Sequence, residues 1–182
     1  MELPRNEFKH AIAEGRQQTG LWVTLPGSFT AELLATCGYD WLLFDTEHSV
    51  GDPLTVFEQL QAAAPYPVSA VVRPASNDVV LIKRLLDAGA QTLLIPYVQN
   101  ADEARAAVDA MRYPPRGIRG VAGLTRATRY GSVKDYAGRV EEELCLLVQV
   151  ETKSALAEIE AIAAVDGVDG IFIGPSDLAA SM

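Results

Sequence analysis

Six short apolar runs punctuate this chain: GLWVTL (20–25), DWLLFD (40–45), VSAVVR (68–73), QTLLIP (91–96), LCLLVQVE (144–151) and DGIFIGP (169–175). Each is nearly continuous rather than alternating. That pattern marks a strand buried on both faces, as in a parallel sheet. Between the runs lie stretches with helical spacing and helix punctuation. Ser28 is placed to cap a helix that stops at Gly38, and Asp52 precedes Pro53 as an N-cap before a first-turn proline. Asn77–Gly89 carries apolar residues on one helical face and ends on glycine; Asn100 and Glu103 form a capping-box pair opening a helix over 101–111. One more helix is expected near 5–14, ahead of the first strand.

Repeated βα units with buried strands predict an α/β fold. The strands start near 20, 40, 68, 91, 144 and 169, so every interval but one fits a single βα unit. The exception follows the fourth strand and holds the Gly/Pro/Arg-rich stretch 113–131, and a loop of that length is usually functional or disordered. A closed (β/α)₈ barrel takes eight strands and roughly 250 residues. We therefore expect 1–182 to be a single parallel barrel domain cut off after its sixth strand, with βα units seven and eight absent. An open six-stranded sheet satisfies the same pattern.

The net charge of −9 argues against a nucleic-acid binder, which needs a basic face. No run approaches the ~18 apolar residues of a membrane span, and the N-terminus has no signal-like stretch, so a cytoplasmic enzyme is expected. Cys37 and Cys145 have no metal or redox spacing and read as small buried hydrophobes.

In both architectures, ligands bind at the carboxyl ends of the strands. Those ends carry Trp22 and Thr24, then Asp45-Thr46-Glu47-His48, Arg73-Pro74, Pro96, Gln149-Val150-Glu151 and Gly174-Pro175-Ser176-Asp177. Glu151 and Asp177, on neighbouring strand ends, suit a hard cation such as Mg²⁺ or Mn²⁺ and not zinc. The competing reading is an acid–base pair sharing one proton. His48 is placed as a general base, oriented by Asp45 or Asp87. Arg73 closes an apolar strand, where its guanidinium needs an anion: a substrate carboxylate, an enolate, or Asp45 or Glu47. Arg119 and Arg126, in the long loop, are candidates to pair with a distal substrate carboxylate, against the plainer reading of loop-anchoring ion pairs. No lysine lies within a strand run, which disfavours Schiff-base chemistry.

Taken in order, DWLLFDTEHS, AVVRPASND, LLDAGAQTLLIP, RYPPRGIRG, LVQVET and GVDGIFIGPSDLAAS resemble the HpcH/HpaI aldolase family over almost the whole chain. The resemblance implies a (β/α)₈ barrel and a class II pyruvate aldolase of aromatic or sugar-acid catabolism. It would cleave a 4-hydroxy-2-oxo acid to pyruvate and an aldehyde, with Mg²⁺, Mn²⁺ or Co²⁺ as cofactor. It places the metal carboxylates on Glu151 and Asp177, the base on His48 with Asp87 as its acidic partner, and the enolate-stabilising arginine on Arg73. Gln149, the Gly174–Asp177 turn (Gly174, Pro175, Ser176) and Trp22 fall on substrate-binding positions. A homo-oligomer is implied, a hexamer in the family. Thr46 departs from the family's usual glycine. Family members also continue through two further βα units and a C-terminal helix that packs on a neighbouring subunit. A citrate-lyase-like acyl-CoA lyase and a non-catalytic barrel fragment are the alternatives.

Overall fold

A computed structural model describes residues 1–182. The six expected strands form, each trimmed by one to three residues: β1 (Gly20–Val23), β2 (Trp41–Asp45), β3 (Ser69–Arg73), β4 (Thr92–Ile95), β5 (Cys145–Val150) and β6 (Gly170–Ile173). All are parallel, in the order β1-β2-β3-β4-β5-β6, with neighbours in sequence paired in space. The intervening helices are α1 (Glu7–Ala13), α2 (Ser28–Ala35), α3 (Pro53–Ala63), α4 (Val79–Asp87), α5 (Ala101–Met111), the single turn α6 (Tyr136–Arg139), α7 (Lys153–Ala157), α8 (Ile159–Ala163) and α9 (Pro175–Ser181).

The sheet is curled, and the ring of Trp22 on β1 shows it. Its centroid lies 5.4 Å from that of Phe172 on β6, although these two strands are the sheet's opposite edges. In a flat sheet, five inter-strand steps of ~4.8 Å would hold them ~24 Å apart. The concave face carries its own apolar layer of Leu43, Val71 and Leu94, joined by Trp22, Trp41, Leu147 and Phe172. The larger core, which includes Phe44, Val72, Leu93 and Val148, fills the space between the sheet and the helices. Strands buried on both sides are what the continuous apolar runs require, and the curled sheet is that of a (β/α) barrel. At the N-terminal end of the strands α1 plugs the concavity: Phe8 packs edge-on to Trp41 at 6.1 Å, and the Asn6 amide donates to Thr92 Oγ1 at 2.9 Å.

Two expected caps form: Asp52 accepts from Thr55 N ahead of Pro53, and Asn100 from Glu103 N; at α4 the cap is Asp78, which accepts from Val80 N and Leu81 N. Glu103 returns its carboxylate to Gln99 N, one residue before the expected cap. At α2 the expectation fails. Ser28 lies inside the first turn, Gly27 is the N-cap with no side-chain bond, and the helix ends at Ala35. Cys37 therefore falls beyond the helix and is exposed, while Cys145 is buried as expected. No helix is long and apolar enough to cross a membrane.

Candidate active site

A buried charge network organises the carboxyl ends of β1 to β3. Arg73, the last residue of β3, forks onto Asp45, the last residue of β2, with Nε to Oδ1 at 2.8 Å and Nη2 to Oδ2 at 2.7 Å. The Asp45 side chain is 0% exposed and that of Arg73 5%. Trp22 Nε1 and the Glu47 amide also donate to Asp45, and the guanidinium carbon sits 4.5 Å over the Trp22 ring. Burial alone would raise the Asp45 pKa. The hydrogen bonds from Arg73, Glu47 N and Trp22, with the charge of Arg73, outweigh it and hold the carboxyl below its ordinary range. Arg73 thus has the anion that its burial demands, and that anion is structural.

The third nitrogen of the fork, Nη1, lies 2.7 Å from Glu47 Oε2. That oxygen is buried without an aligned hydrogen bond, so the contact is Coulombic. Burial raises the Glu47 pKa, Arg73 opposes it, and Glu151 adds to it. Three of Arg73's five N–H groups make no hydrogen bond within the chain and are left for another acceptor. His48 projects outward, 69% exposed, with Nε2 3.9 Å from Glu47 Oε2.

Glu151 closes β5 and is 3% exposed. Its carboxylate accepts from the Tyr97 amide at 2.8 Å and from Gln149 Nε2 at 2.6 Å. Both donors are neutral, and none of the chain's ion pairs includes Glu151. A buried carboxylate without a counter-charge is costly and calls for a cation. Tyr97 reaches it through a left-handed backbone, φ 55, rare for a bulky residue. Gln149 Oε1 is buried and has no partner. Gly174 allows the β6–α9 turn to lie against this pair, since a Cβ there would come within 2.7 Å of Glu151 Oε2 and 2.9 Å of Gln149 Nε2. Pro175, Ser176 and Asp177 follow as the exposed first turn of α9.

The donor set fits a hard divalent cation. Glu151 is an uncompensated acid and Asp177 opens the adjacent turn. No cluster of three or more His, Cys, Asp or Glu residues surrounds them, which leaves the remaining positions to water and substrate oxygens.

Three expectations are not met within the chain. Asp87 does not reach His48. It ends α4, at the opposite end of the strands, and accepts from Arg119 Nη2 at 2.8 Å. Arg119 is fully buried over the Tyr113 ring at 4.5 Å, so it cannot meet a substrate. Arg126 donates to the carbonyls of Ala88 and Leu60, also at that far end. The loop folds under the C-terminal ends of α3, α4 and α5 and not over the site, because its amides and guanidinium groups satisfy the carbonyls that those helices leave free. Two contributors escaped the sequence reading. Glu47 stood in plain view, but only as an alternative partner for Arg73. Tyr97 carried no local signal.

Comparison with known proteins bears on the family and the fold. Residues 18–182 match the model of the HpcH/HpaI aldolase/citrate lyase family. The pyruvate aldolase of Rhizobium etli is 66% identical over all of this chain, which covers 71% of that protein. The 4-hydroxy-2-oxo-heptane-1,7-dioate aldolase of Salmonella paratyphi B is 57% identical over 98% of the chain and 68% of that protein. A crystal structure of an HpcH/HpaI aldolase/citrate lyase family protein from Burkholderia cenocepacia J2315 superposes with a TM-score of 0.94 at 43% identity, covering 97% of this chain and 71% of that one.

Proposed function

This chain belongs to the HpcH/HpaI aldolase/citrate lyase family, and we propose that the Arg73–Glu151 site carries out its chemistry, the reversible retro-aldol cleavage of a 4-hydroxy-2-oxo acid to pyruvate and an aldehyde. The chain is an aldolase, a carbon–carbon lyase. The observation that carries the assignment of the site is the buried, uncompensated Glu151 beneath the Gly174 turn.

Glu151 and Asp177 would hold a divalent cation, which would supply Lewis-acid stabilisation of the negative charge that develops on the substrate. The chain's own residues do the rest. His48, exposed at the rim of the site, takes the proton from the C4 hydroxyl. The C3–C4 bond breaks, the aldehyde leaves with the new carbonyl, and the electron pair passes into pyruvate as its enolate. The free N–H groups of Arg73 donate to that developing charge, on a guanidinium already fixed by Asp45, Glu47 and Trp22. The opening amides of α9 donate to the substrate carboxylate, the unpartnered Gln149 Oε1 accepts from a hydroxyl or water in the site, and Trp22 walls it. Return of a proton to C3, balancing the one that His48 took, completes pyruvate and restores the base.

Asp87 serves here as an anchor for Arg119; a catalytic partnership with His48 would need a second copy of the chain. The exposed Ile118, Val121, Leu124 and Tyr130 of the long loop support a homo-oligomer.

The test is pyruvate release from a racemic 4-hydroxy-2-oxo acid, coupled to lactate dehydrogenase, with EDTA and then with added Mn²⁺. Activity abolished by EDTA and restored by metal supports the assignment. Activity indifferent to EDTA removes the cation from it.

A further inference from the structure

A cavity of about 230 Å³ with a mixed polar and apolar lining lies at the other end of the strands, beneath the starts of β3 and β4. Its walls are the segment Leu3–Glu7, the last turn of α3 and the loop from Arg126 to Arg129. Nothing in the retro-aldol chemistry uses it.

Its charge is out of balance. Arg126 Nη1 donates to the Ala88 carbonyl at 3.0 Å and Nη2 to the Leu60 carbonyl at 3.2 Å. These are helix C-terminal carbonyls, which offset only part of a full charge. No carboxylate pairs with Arg126 or with its neighbour Arg129, although eight of the chain's other arginines have one. The acid on the rim, Glu7, is already taken by Arg5 at 3.1 Å. Two guanidinium groups without a carboxylate partner sharing one cavity are unexpected in a chain of net charge −9. Burial and then the charge of Arg129 push the Arg126 pKa below the usual arginine range.

The backbone holds the pair together at some cost. Arg129 and Tyr130 both take left-handed φ, 50 and 54. Their turn is tied by Arg129 N to the Arg126 carbonyl at 2.9 Å and by Thr128 Oγ1 to the Gly123 carbonyl at 2.8 Å. Non-glycine residues in this region are strained, and such strain persists where the surroundings impose it. At Gly89, φ 103, a Cβ would come within 2.4 Å of Arg126 Nη1, so this guanidinium rests where only glycine lets it.

We propose that this cavity is a binding site for a small oxyanion carrying two negative charges, a phosphate or a short dicarboxylate, held between Arg126 and Arg129. Such a ligand supplies the counter-charge that the chain omits. It also ties the N-terminal segment, the end of α3 and the long loop into one unit.

The probe is inorganic phosphate, with succinate as the carboxylate arm, added to the full chain in EDTA at an ionic strength held constant with chloride. EDTA removes any contribution from a cation at Glu151, and Arg129→Ala separates this cavity from the anion-binding Arg73 of the aldolase site. The melting temperature should rise saturably with phosphate, succinate or both, and the arm that acts identifies the ligand chemistry. Arg129→Ala should weaken that binding by about tenfold or more, while Glu151→Gln leaves it unchanged. No saturable rise with either anion, or the same concentration dependence in Arg129→Ala, overturns the proposal. Phenylglyoxal labelling of the unmutated chain gives a reading free of any folding defect: phosphate should shield Arg129, and equal labelling with and without phosphate overturns the proposal as well.

Discussion

Asp45→Asn should unsettle the whole molecule and not only the site. The Asp45 carboxylate is fully buried and receives four hydrogen bonds, two of them from the charged Arg73. An amide can accept at one atom only. Its NH₂ would then point a donor at Arg73 Nη2, leaving a buried guanidinium with Glu47 as its sole counter-charge. Removing one partner of a buried ion pair costs about 3–5 kcal/mol, and the surviving Glu47 puts this case at the lower end. For a domain of this length each kcal/mol is worth ~2–4 °C, so a fall of about 6–12 °C at pH 7 is expected by thermal melting. The pH dependence carries a second signature. The folded-state pKa of Asp45 is depressed, so its contribution is fully present above the ordinary aspartate value of 3.8 and is lost as pH falls through the lower folded value. The gap between the parent and Asp45→Asn should therefore narrow below pH 3.8. Adding Arg73→Met removes the orphaned charge, so the double variant should be more stable than the sum of the two single losses by at least ~1 kcal/mol. A drop under ~2 °C in the single variant, or strict additivity in the double, would refute the argument that Arg73 is buried for the sake of Asp45.

Other expectations follow from the same geometry. Glu151→Gln in EDTA should melt at or above the parent temperature, because it removes a buried uncompensated charge, while Mn²⁺ affinity by calorimetry falls more than ~100-fold. Gly174→Ala has an ordinary φ of −87, so the fold should hold. Its Cβ would nonetheless displace Glu151, and Mn²⁺ binding and pyruvate release should fall together. His48→Gln should lower kcat by ~10²–10⁴ without changing the melt, since the ring is exposed and meets only Glu47; an unchanged kcat would remove it as the base.

The strands were legible because a strand covered on both faces has to be apolar throughout, and no other element needs that in five residues. Their carboxyl ends pointed to Arg73, Gln149, Glu151 and the Gly174 turn, since in parallel α/β folds those ends form one rim. What the strand pattern cannot convey is the path of irregular backbone. Tyr97 serves Glu151 through a left-handed φ that no propensity favours. Asp87 occupies the helix end that runs back under the sheet, so a position that suggested chemistry holds Arg119 instead. Ser28 shows the same limit on a smaller scale: a good capping residue sits one place too late because the turn at Gly27, φ 114, sets where the helix begins. That Arg73 serves Asp45 and Glu47 together was undecidable from spacing, because both acids are one strand away and only the register, Asp45 opposite Arg73, ranks them.

The most direct test of the central claim needs no knowledge of the aldehyde. Pyruvate incubated with the chain and Mn²⁺ in D₂O should exchange its C3 protons for deuterium, followed by NMR. The exchange should stop with EDTA or in Glu151→Gln. Exchange that persists at the same rate in both would show that the enolate forms without the cation and without Glu151, and would contradict the account.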